Sequence, residues 1–428
     1  MPNNNNTEPK KLKIDKIGID GDGIGKIGKK TVIAPYTISN EEIILTDFEE
    51  NNKYISTKSF DIITPSEHRI EAPCKIFGEC GGCNLQHIDQ DYYKDYKKSI
   101  LSKALEYGGF DNSTKDIDFF DIGHKSRRKV KFSVKAGKKS VKLGFFKERS
   151  HELIDIYNCL ILEEEINNLI SPVKEFILTL SRPQRTHEIS LFLADNGIEF
   201  SIISDSTPDK NDIKQIEVFS TKHKISKANW LTNDDIRNIY CLQEPYIKVG
   251  NWKIASSYNM FSQSTKNGQE EITRLVLEYL KPHEYILDLY SGCGTYSLPL
   301  VGDSKQVAAY EGSSEMVESF KDSIEKNFLH DYLQVKKRDL LKNPLKPNEI
   351  SIYDGVVINP PRNGAGPQIK NIAESNVNNV VIVSCSPSSL GKDIKPLKQN
   401  GYKLVKSNII DQFIWSNHIE SVSLFVKE

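Results

Sequence analysis

Four consecutive β-branched residues, Val380, Val381, Ile382 and Val383, constrain this chain more than any other stretch. A strand that is apolar on both faces must be covered on both, which is the situation inside a parallel sheet with helices on either side. Ser386, Pro387, Ser388 and Ser389 follow with turn and helix-start chemistry. Cys385 is therefore delivered at the carboxyl end of a buried strand, and ligands of open α/β sheets bind just beyond such ends. Two readings of its thiol stand side by side: a nucleophile facing substrate, or a small hydrophobe capping the strand, as free cysteines often are.

The same design recurs upstream. Residues 285–289 read as a buried strand that ends in Tyr290 and a loop carrying Gly292 and Gly294, after a helix expected over 269–280. Glycines there let the backbone approach a ligand closely, and Asp288 at the strand end can orient a polar group. About twenty residues on, a second strand over 307–311 ends in Glu311, placed to accept hydrogen bonds from ribose hydroxyls. Arg338 and Asp339 follow a third strand, and the fourth, 354–358, runs into Asn359-Pro360-Pro361-Arg362-Asn363-Gly364. The loop has one closely spaced glycine pair rather than GxGxxG. It resembles the S-adenosylmethionine loop of Rossmann-like methyltransferases, with a plain dinucleotide fold as the alternative.

Seven cysteines, an odd number in 428 residues whose start, MPNNNNTEPKK, lacks the apolar core of a secretory signal, argue for metal or catalytic use rather than a disulfide framework. Cys74, Cys80 and Cys83 are clustered, and Cys159 lies 76 residues beyond the third. Zinc sites usually present two close pairs, whereas three clustered thiolates and one distant one fit iron–sulfur ligation. A [4Fe–4S] cluster is the favoured reading and structural zinc the other. Gly81 and Gly82 would let the backbone fold around such a cluster, and His87 reads as structural.

Before the cysteines, short alternating segments over 12–44 are punctuated by Asp-Gly, Gly-Lys and Pro-Tyr, which predicts a small antiparallel barrel. IDKIGIDGDGIGK within it is similar to a TRAM domain, a compact RNA-binding barrel. An amphipathic helix is expected over 89–107, with Tyr93, Tyr96, Ile100, Leu101 and Leu105 at helical spacing. Residues 125–149 carry 11 basic residues and one acidic one, interleaved with Val, Phe and Gly. In a hairpin this would set a cationic face against phosphates, although basic strands are often only solvated surface. Residues 165–250 mix helical and strand patterns without defensible chemistry. With 57 basic and 58 acidic residues and a net charge of -1, the chain is not uniformly basic, so a nucleic-acid surface would have to be local.

Taken together, the barrel segment, the four cysteines, the glycine loop with Glu311, SCSPSSLGKD, and Asn417-His418-Ile419-Glu420 occur in an order that resembles the RNA 5-methyluridine methyltransferases. The likeness is nearest to the TRAM-containing, iron–sulfur branch acting on 23S ribosomal RNA, and it covers roughly residues 12–428. It implies a multidomain chain: a small OB/TRAM-like β-barrel over 10–66, a central α+β iron–sulfur domain over 67–250, and a C-terminal α/β Rossmann-like methyltransferase domain over 251–428. It also implies Cys385 as nucleophile and Glu420 as general base. S-adenosylmethionine would be held by Gln263, Tyr290, Glu311, Asp339 and Asn359, and the cluster by Cys74, Cys80, Cys83 and Cys159. RNA is the implied partner, with a cytoplasmic monomer and no membrane association expected. One departure stands out: the family has Asp where this chain has Asn359, which keeps an acceptor but loses the charge and gains a donor. Methylation of the same base in tRNA, amide or amino-nitrogen methylation, and an RNA-binding protein without catalysis are the other function classes.

The chemistry can be argued from the residues. C5 of uracil is a poor nucleophile until another nucleophile adds at C6, a task that suits a thiolate because it adds and leaves readily. After methyl transfer, the C5 proton has to be removed before the thiolate can be expelled, which calls for a general base. The target base would be turned out of folded RNA into the pocket.

Overall fold

The computed structural model describes residues 9–111, 116–233, 235–255, 258, 260–301 and 306–427. They form two compact units, one comprising Met1–Ile100, Phe146–Glu152 and Phe413–His418, the other Leu101–Phe145, Leu153–Gln412 and Ile419–Glu428. Among the described residues no helix is long and apolar enough to cross a membrane.

In the first unit the strands Lys10–Ile17, Gly23–Ile27, Lys30–Ala34, Glu42–Glu50 and Tyr54–Thr64 close into a barrel. Period-two alternation drives the closure: Leu12 and Ile14 point inward while Lys11 and Lys13 stay outside, and Val32, Ala34, Ile43, Leu45 and Ile55 complete a dry core. Glu41 is fully buried and paired with Arg69, which also donates to the Tyr36 carbonyl at 2.7 Å. That ion pair fastens the cysteine-bearing loop to the barrel. Gly81 N–H donates to the Phe146 carbonyl at 3.0 Å, so residues 146–152 pack on the same loop. The helix Gln90–Tyr107 begins one residue from the expected start. Its Lys97, fully buried, donates to the carbonyls of Phe413 at 3.2 Å and His418 at 2.6 Å and so holds the 413–418 segment.

The second unit contains two large sheets. One has seven strands, ordered Ile236–Cys241, Ile225–Leu231, Gly197–Ser204, Thr186–Ala194, Lys129–Ala136, Val141–Phe146, Leu153–Asp155. Its basic hairpin alternates as expected, with Val130, Phe132 and Val134 buried. The cationic face expected on one side of the hairpin does not include its first residues. Arg128 is only 2% exposed, and Lys129 is turned inward with its ammonium on the Met260 carbonyl at 3.0 Å. Burial pushes the pKa of both below the ordinary range. Lys135, Lys138, Lys139 and Lys142 remain exposed.

The other sheet has eight strands in the order Leu333–Lys337, Gln306–Glu311, Tyr285–Leu289, Gly355–Ile358, Asn379–Ser384, Glu420–Lys427, Tyr402–Asp411, Ile117–Asp121. The first five are parallel, and the strand order runs outward in both directions from Tyr285–Leu289, the switch point at which such sheets bind ligands. Glu420–Lys427 lies antiparallel beside Asn379–Ser384, with Ser384 opposite Ser421. The last two residues on the ligand-binding side of that pair are therefore neighbours of Cys385 and Glu420.

Candidate active site

Cys385 leaves the end of Asn379–Ser384 and enters the helix Pro387–Gln399, whose proline fits the first turn because no N–H is needed there. The thiol is half-buried, and its pKa is pushed up by burial and then by the negative charge of Glu420. Arg362, in the loop after Gly355–Ile358, opposes this with its charge and a hydrogen bond. Glu420 is the first residue of its strand and is 3% exposed. Burial raises its carboxyl from 4.5 to about 7, against the opposing hydrogen bond from Gln412 and the charge of Arg362. A carboxyl poised there is half-ionised at neutral pH, the condition in which a general base works best.

The remaining polar groups form a continuous hydrogen-bond network. Gln412 donates from Nε2 to Glu420 Oε2 at 2.8 Å and to Gln263 Oε1 at 2.7 Å. Gln263 in turn donates to the Tyr296 hydroxyl at 3.5 Å, and Asn359 Nδ2 approaches the same hydroxyl at 3.4 Å. Gln263 is itself positioned from behind: its carbonyl accepts from Arg128 Nε at 3.2 Å, and Arg128 donates onward to Gln269 at 2.7 Å. The structure thus brings Cys385, Glu420, Gln263 and Asn359 into one locality. Arg362, Tyr296 and Gln412 join them without having been assigned roles from the sequence. Of the three, only Arg362 carried a signal, a lone cation after two prolines in a strand-end loop.

On the glycine-loop side, Glu311 accepts from Gly292 N–H at 3.0 Å and from Ser313 N–H at 2.8 Å. Tyr290 sits at φ 58°, an uncommon conformation for a bulky residue, and donates its hydroxyl to the Ala365 carbonyl at 3.2 Å. Its phenol is pushed up by burial and then by the charges of Asp393, Asp339 and Glu311, which places those acids around it. Asp339 accepts from Leu341 and Lys342 N–H, each at 3.2 Å. Asp288 is buried, accepts from Ser297 at 2.6 Å and is pushed up to about 7 by burial. Its other oxygen and the buried Ser291 hydroxyl have no hydrogen-bond partner among the described residues. A Cβ on Gly292 would meet only Met316 sulfur, at 3.9 Å, so the loop's outer side is open. Unpaired buried acceptors beside an open glycine loop fit a polar nucleoside ligand, such as S-adenosylmethionine.

None of the seven cysteines is in a disulfide. Cys74, Cys80 and Cys83 lie in the first unit and Cys159 in the second. The Gly82 amide donates toward Cys80 sulfur, and Cys80 is raised by burial, with a further contribution from Cys74, so these two thiols are near each other. Among the described residues, however, no three His, Cys, Asp or Glu side chains are gathered closely enough to hold a metal ion. The Gly82 amide aimed at the Cys80 sulfur suits a sulfide cluster.

A glycine loop with acids on successive strand ends, and a thiol and a raised carboxyl over the adjacent ones, are set on an α/β sheet of the methyltransferase fold. Residues 246–428 match the family described as tRNA (Uracil-5-)-methyltransferase. The 23S rRNA (uracil(1939)-C(5))-methyltransferase RlmD of Vibrio parahaemolyticus is 27% identical over 431 residues, covering 99% of this chain and 97% of that protein. An uncharacterised RNA methyltransferase of Rhizobium meliloti is also 27% identical, over 97% of this chain and 98% of its own length. The crystal structure of Pyrococcus abyssi tRNA (uracil-54, C5)-methyltransferase in complex with S-adenosyl-L-homocysteine superposes with a TM-score of 0.77. It covers 97% of this chain and 100% of its own at 21% identity, a likeness of fold. Over its C-terminal part and along its full length, the chain is thus similar to RNA uracil-C5 methyltransferases.

Proposed function

We propose that this protein methylates C5 of a uridine in 23S ribosomal RNA, with Cys385 as the nucleophile that adds to C6 and Glu420 as the base that removes the C5 proton. The observation that carries the reading is the register of the two central strands, which puts Ser384 opposite Ser421 and so sets a thiol and a raised carboxyl on adjoining strand ends. Amide or amino-nitrogen methylation would give neither group a task.

Arg362 stabilises the Cys385 thiolate as it forms, in opposition to burial and to the charge on Glu420. The thiolate adds to C6, and the electron pair moves onto the ring so that C5 becomes nucleophilic. S-adenosylmethionine, when bound, would supply an electrophilic methyl group to C5, its sulfur keeping the S–CH3 bonding pair as S-adenosylhomocysteine departs. Glu420 then takes the C5 proton, the ring electrons expel the thiolate, and the product base is released. Gln263, Tyr290, Glu311, Asp339 and Asn359 would hold the cofactor, Glu311 presenting its carboxylate to the ribose. Ribosomal RNA is preferred because full-length relatives carry that specificity in their names. The P. abyssi tRNA enzyme has the same fold, so fold does not separate the two substrates. The barrel, as a TRAM-like module, and the exposed lysines of the basic hairpin would bind the flanking RNA. A [4Fe–4S] cluster on Cys74, Cys80, Cys83 and Cys159 completes the proposal, supported by the spacing of the thiols and the Gly82 amide.

The test uses two variants and one gene deletion. Cys385→Ala should bind RNA yet form no covalent adduct. Glu420→Gln should still add and methylate, then accumulate a methylated protein–RNA adduct that survives denaturing electrophoresis. Methylation at C5 by Cys385→Ala would sink the mechanism, and 5-methyluridine lost from tRNA instead of 23S RNA on deletion would sink the substrate.

A further inference from the structure

Gln412 hydrogen-bonds to both the proposed base and a proposed cofactor residue. It is 3% exposed, as is Glu420, and Gln263 is 4% exposed. Its amide orientation is dictated by its neighbours. Oε1 accepts from Ser264 N–H at 3.1 Å, while the two hydrogens on Nε2 are used by Gln263 Oε1 and Glu420 Oε2. Flipping the amide would set an acceptor against two acceptors and a donor against a backbone N–H. The stem is packed as closely: a Cβ on Gly268 would come within 3.1 Å of Gln412 Cβ.

We infer that Gln412 is a positioning residue for proton abstraction, fixing Glu420 through Oε2 so that Oε1 is the oxygen presented to the C5 proton, and joining the base to Gln263 through a single amide. The inference rests on the reading of Glu420 as the base. A neutral amide is suited to this because it donates to the carboxylate without adding charge, whereas a cation there would hold the carboxyl ionised and weaken it as a base. The groups facing Glu420 from the elements around it are Arg362 after Gly355–Ile358, Cys385 after Asn379–Ser384, and Tyr296 beyond the glycine loop. Of these, Arg362 favours ionisation of Glu420 and Cys385 as thiolate opposes it, so loss of the Gln412 donor leaves Arg362 as the remaining stabiliser. Replacement of Gln412 should therefore make Glu420 harder to ionise, and the proton-removal step should need higher pH.

The experiment uses ribosomal RNA from cells lacking the gene, S-adenosylmethionine with a labelled methyl group, and full-length protein. Gln412→Leu should turn over about tenfold more slowly than wild type at pH 6.5 and within about twofold of it at pH 9. At the lower pH it should also accumulate methylated adduct, a signature that loss of folding cannot produce. Gln412→Glu keeps an acceptor for Ser264 but faces Glu420 with a second carboxyl, so its acidic limb should move in the same direction; it decides the matter if the leucine variant does not fold. An acidic limb coincident with wild type, or an equal loss at every pH, would overturn the role of Gln412. If Glu420→Gln turns over without accumulating adduct, the reading of the base itself has failed. If it accumulates adduct while the Gln412 variants keep the wild-type limb, only this inference has.

Discussion

Glu420→Gln should make the protein more stable above neutrality while removing turnover. The carboxyl has no exposed surface to speak of, and burial raises it from 4.5 to about 7. The sign follows from which state keeps the proton. Below pH 4.5 both folded and unfolded chains are protonated at this residue, and its full contribution to stability is present. Between 4.5 and about 7 the unfolded chain ionises first, so stability falls, and above about 7 the whole penalty is in place. At about 1.4 kcal/mol per pH unit, the displacement corresponds to roughly 3 kcal/mol at pH 8. A neutral glutamine escapes that penalty and can still accept from Gln412. Asp288 and Asp393, raised to about 7 and about 6, titrate in both proteins and cancel in the comparison. The assay is thermal melting of wild type and variant at pH 5 and pH 8, followed on the transition that S-adenosylmethionine raises, because ligand binding identifies the unit that contains the site. The variant should melt about 6 °C or more above wild type at pH 8 and close to it at pH 5. Equal differences at the two pH values would refute a desolvated carboxyl at position 420, and with it the explanation of its poise near neutrality.

Glu311→Ala should weaken S-adenosylmethionine binding roughly tenfold or more by calorimetry, since one or two charge-assisted hydrogen bonds of about 1.5–3 kcal/mol each are removed; unchanged affinity would mean the ribose acid lies elsewhere. Gly294→Ala should destabilise the glycine loop by about 1–3 kcal/mol, because its Cβ would lie 2.3 Å from the fully buried Phe320 ring and its φ is +89°; an unchanged melting temperature would count against the packing described. Anaerobically purified protein should contain iron and acid-labile sulfide, and zinc alone would exclude the proposed cluster. Asn359→Asp should shift the acidic limb of turnover upward rather than restore a lost function, and a downward shift would contradict the role of charge argued below.

The parallel sheet was legible because its strands are apolar on both faces and its turns carry glycine, proline and serine. The expected strand over 380–383 and helix over 269–280 appear as Asn379–Ser384 and Lys266–Leu280. Residues 165–250 were illegible for a physical reason. Their strands bury polar residues, and in-register Ser190, Ser201 and Asn229 are all at most 3% exposed. Asn229 donates to Glu199 Oε1 at 2.8 Å inside the sheet. Polar residues on the inside erase the alternation that a sequence reading depends on. The inward turn of Arg128 and Lys129 was hidden similarly, since only tertiary contacts distinguish them from the exposed lysines of the same hairpin. Cys385, Glu420, Gln263 and Asn359 could be named in advance, but their joining through Gln412 could not, because a glutamine in DQF matches no chemical pattern.

The amide at position 359 takes on a different meaning within this network. As a departure from an aspartate it suggested a weakened site, because a charge had been lost. The structure sets that amide against the Tyr296 hydroxyl, which also receives Gln263, and Gln263 is one step from Glu420 through Gln412. Every link between Asn359 and the base is thus a neutral donor or acceptor. Tyr296 is buried, and its phenol is already pushed up by burial and by the charge of Glu420. A second anion at 359 would act on the same poorly screened region, raising Glu420 further and making the Cys385 thiolate harder to form. Neutrality at 359 keeps the only nearby permanent cation, among the described groups that influence Cys385 and Glu420, at Arg362, where it acts on both. The asparagine therefore fits a site whose proposed nucleophile and base are both desolvated, and whose ionisation, on that proposal, is shared between them in sequence: thiolate first for addition, carboxylate later for proton removal.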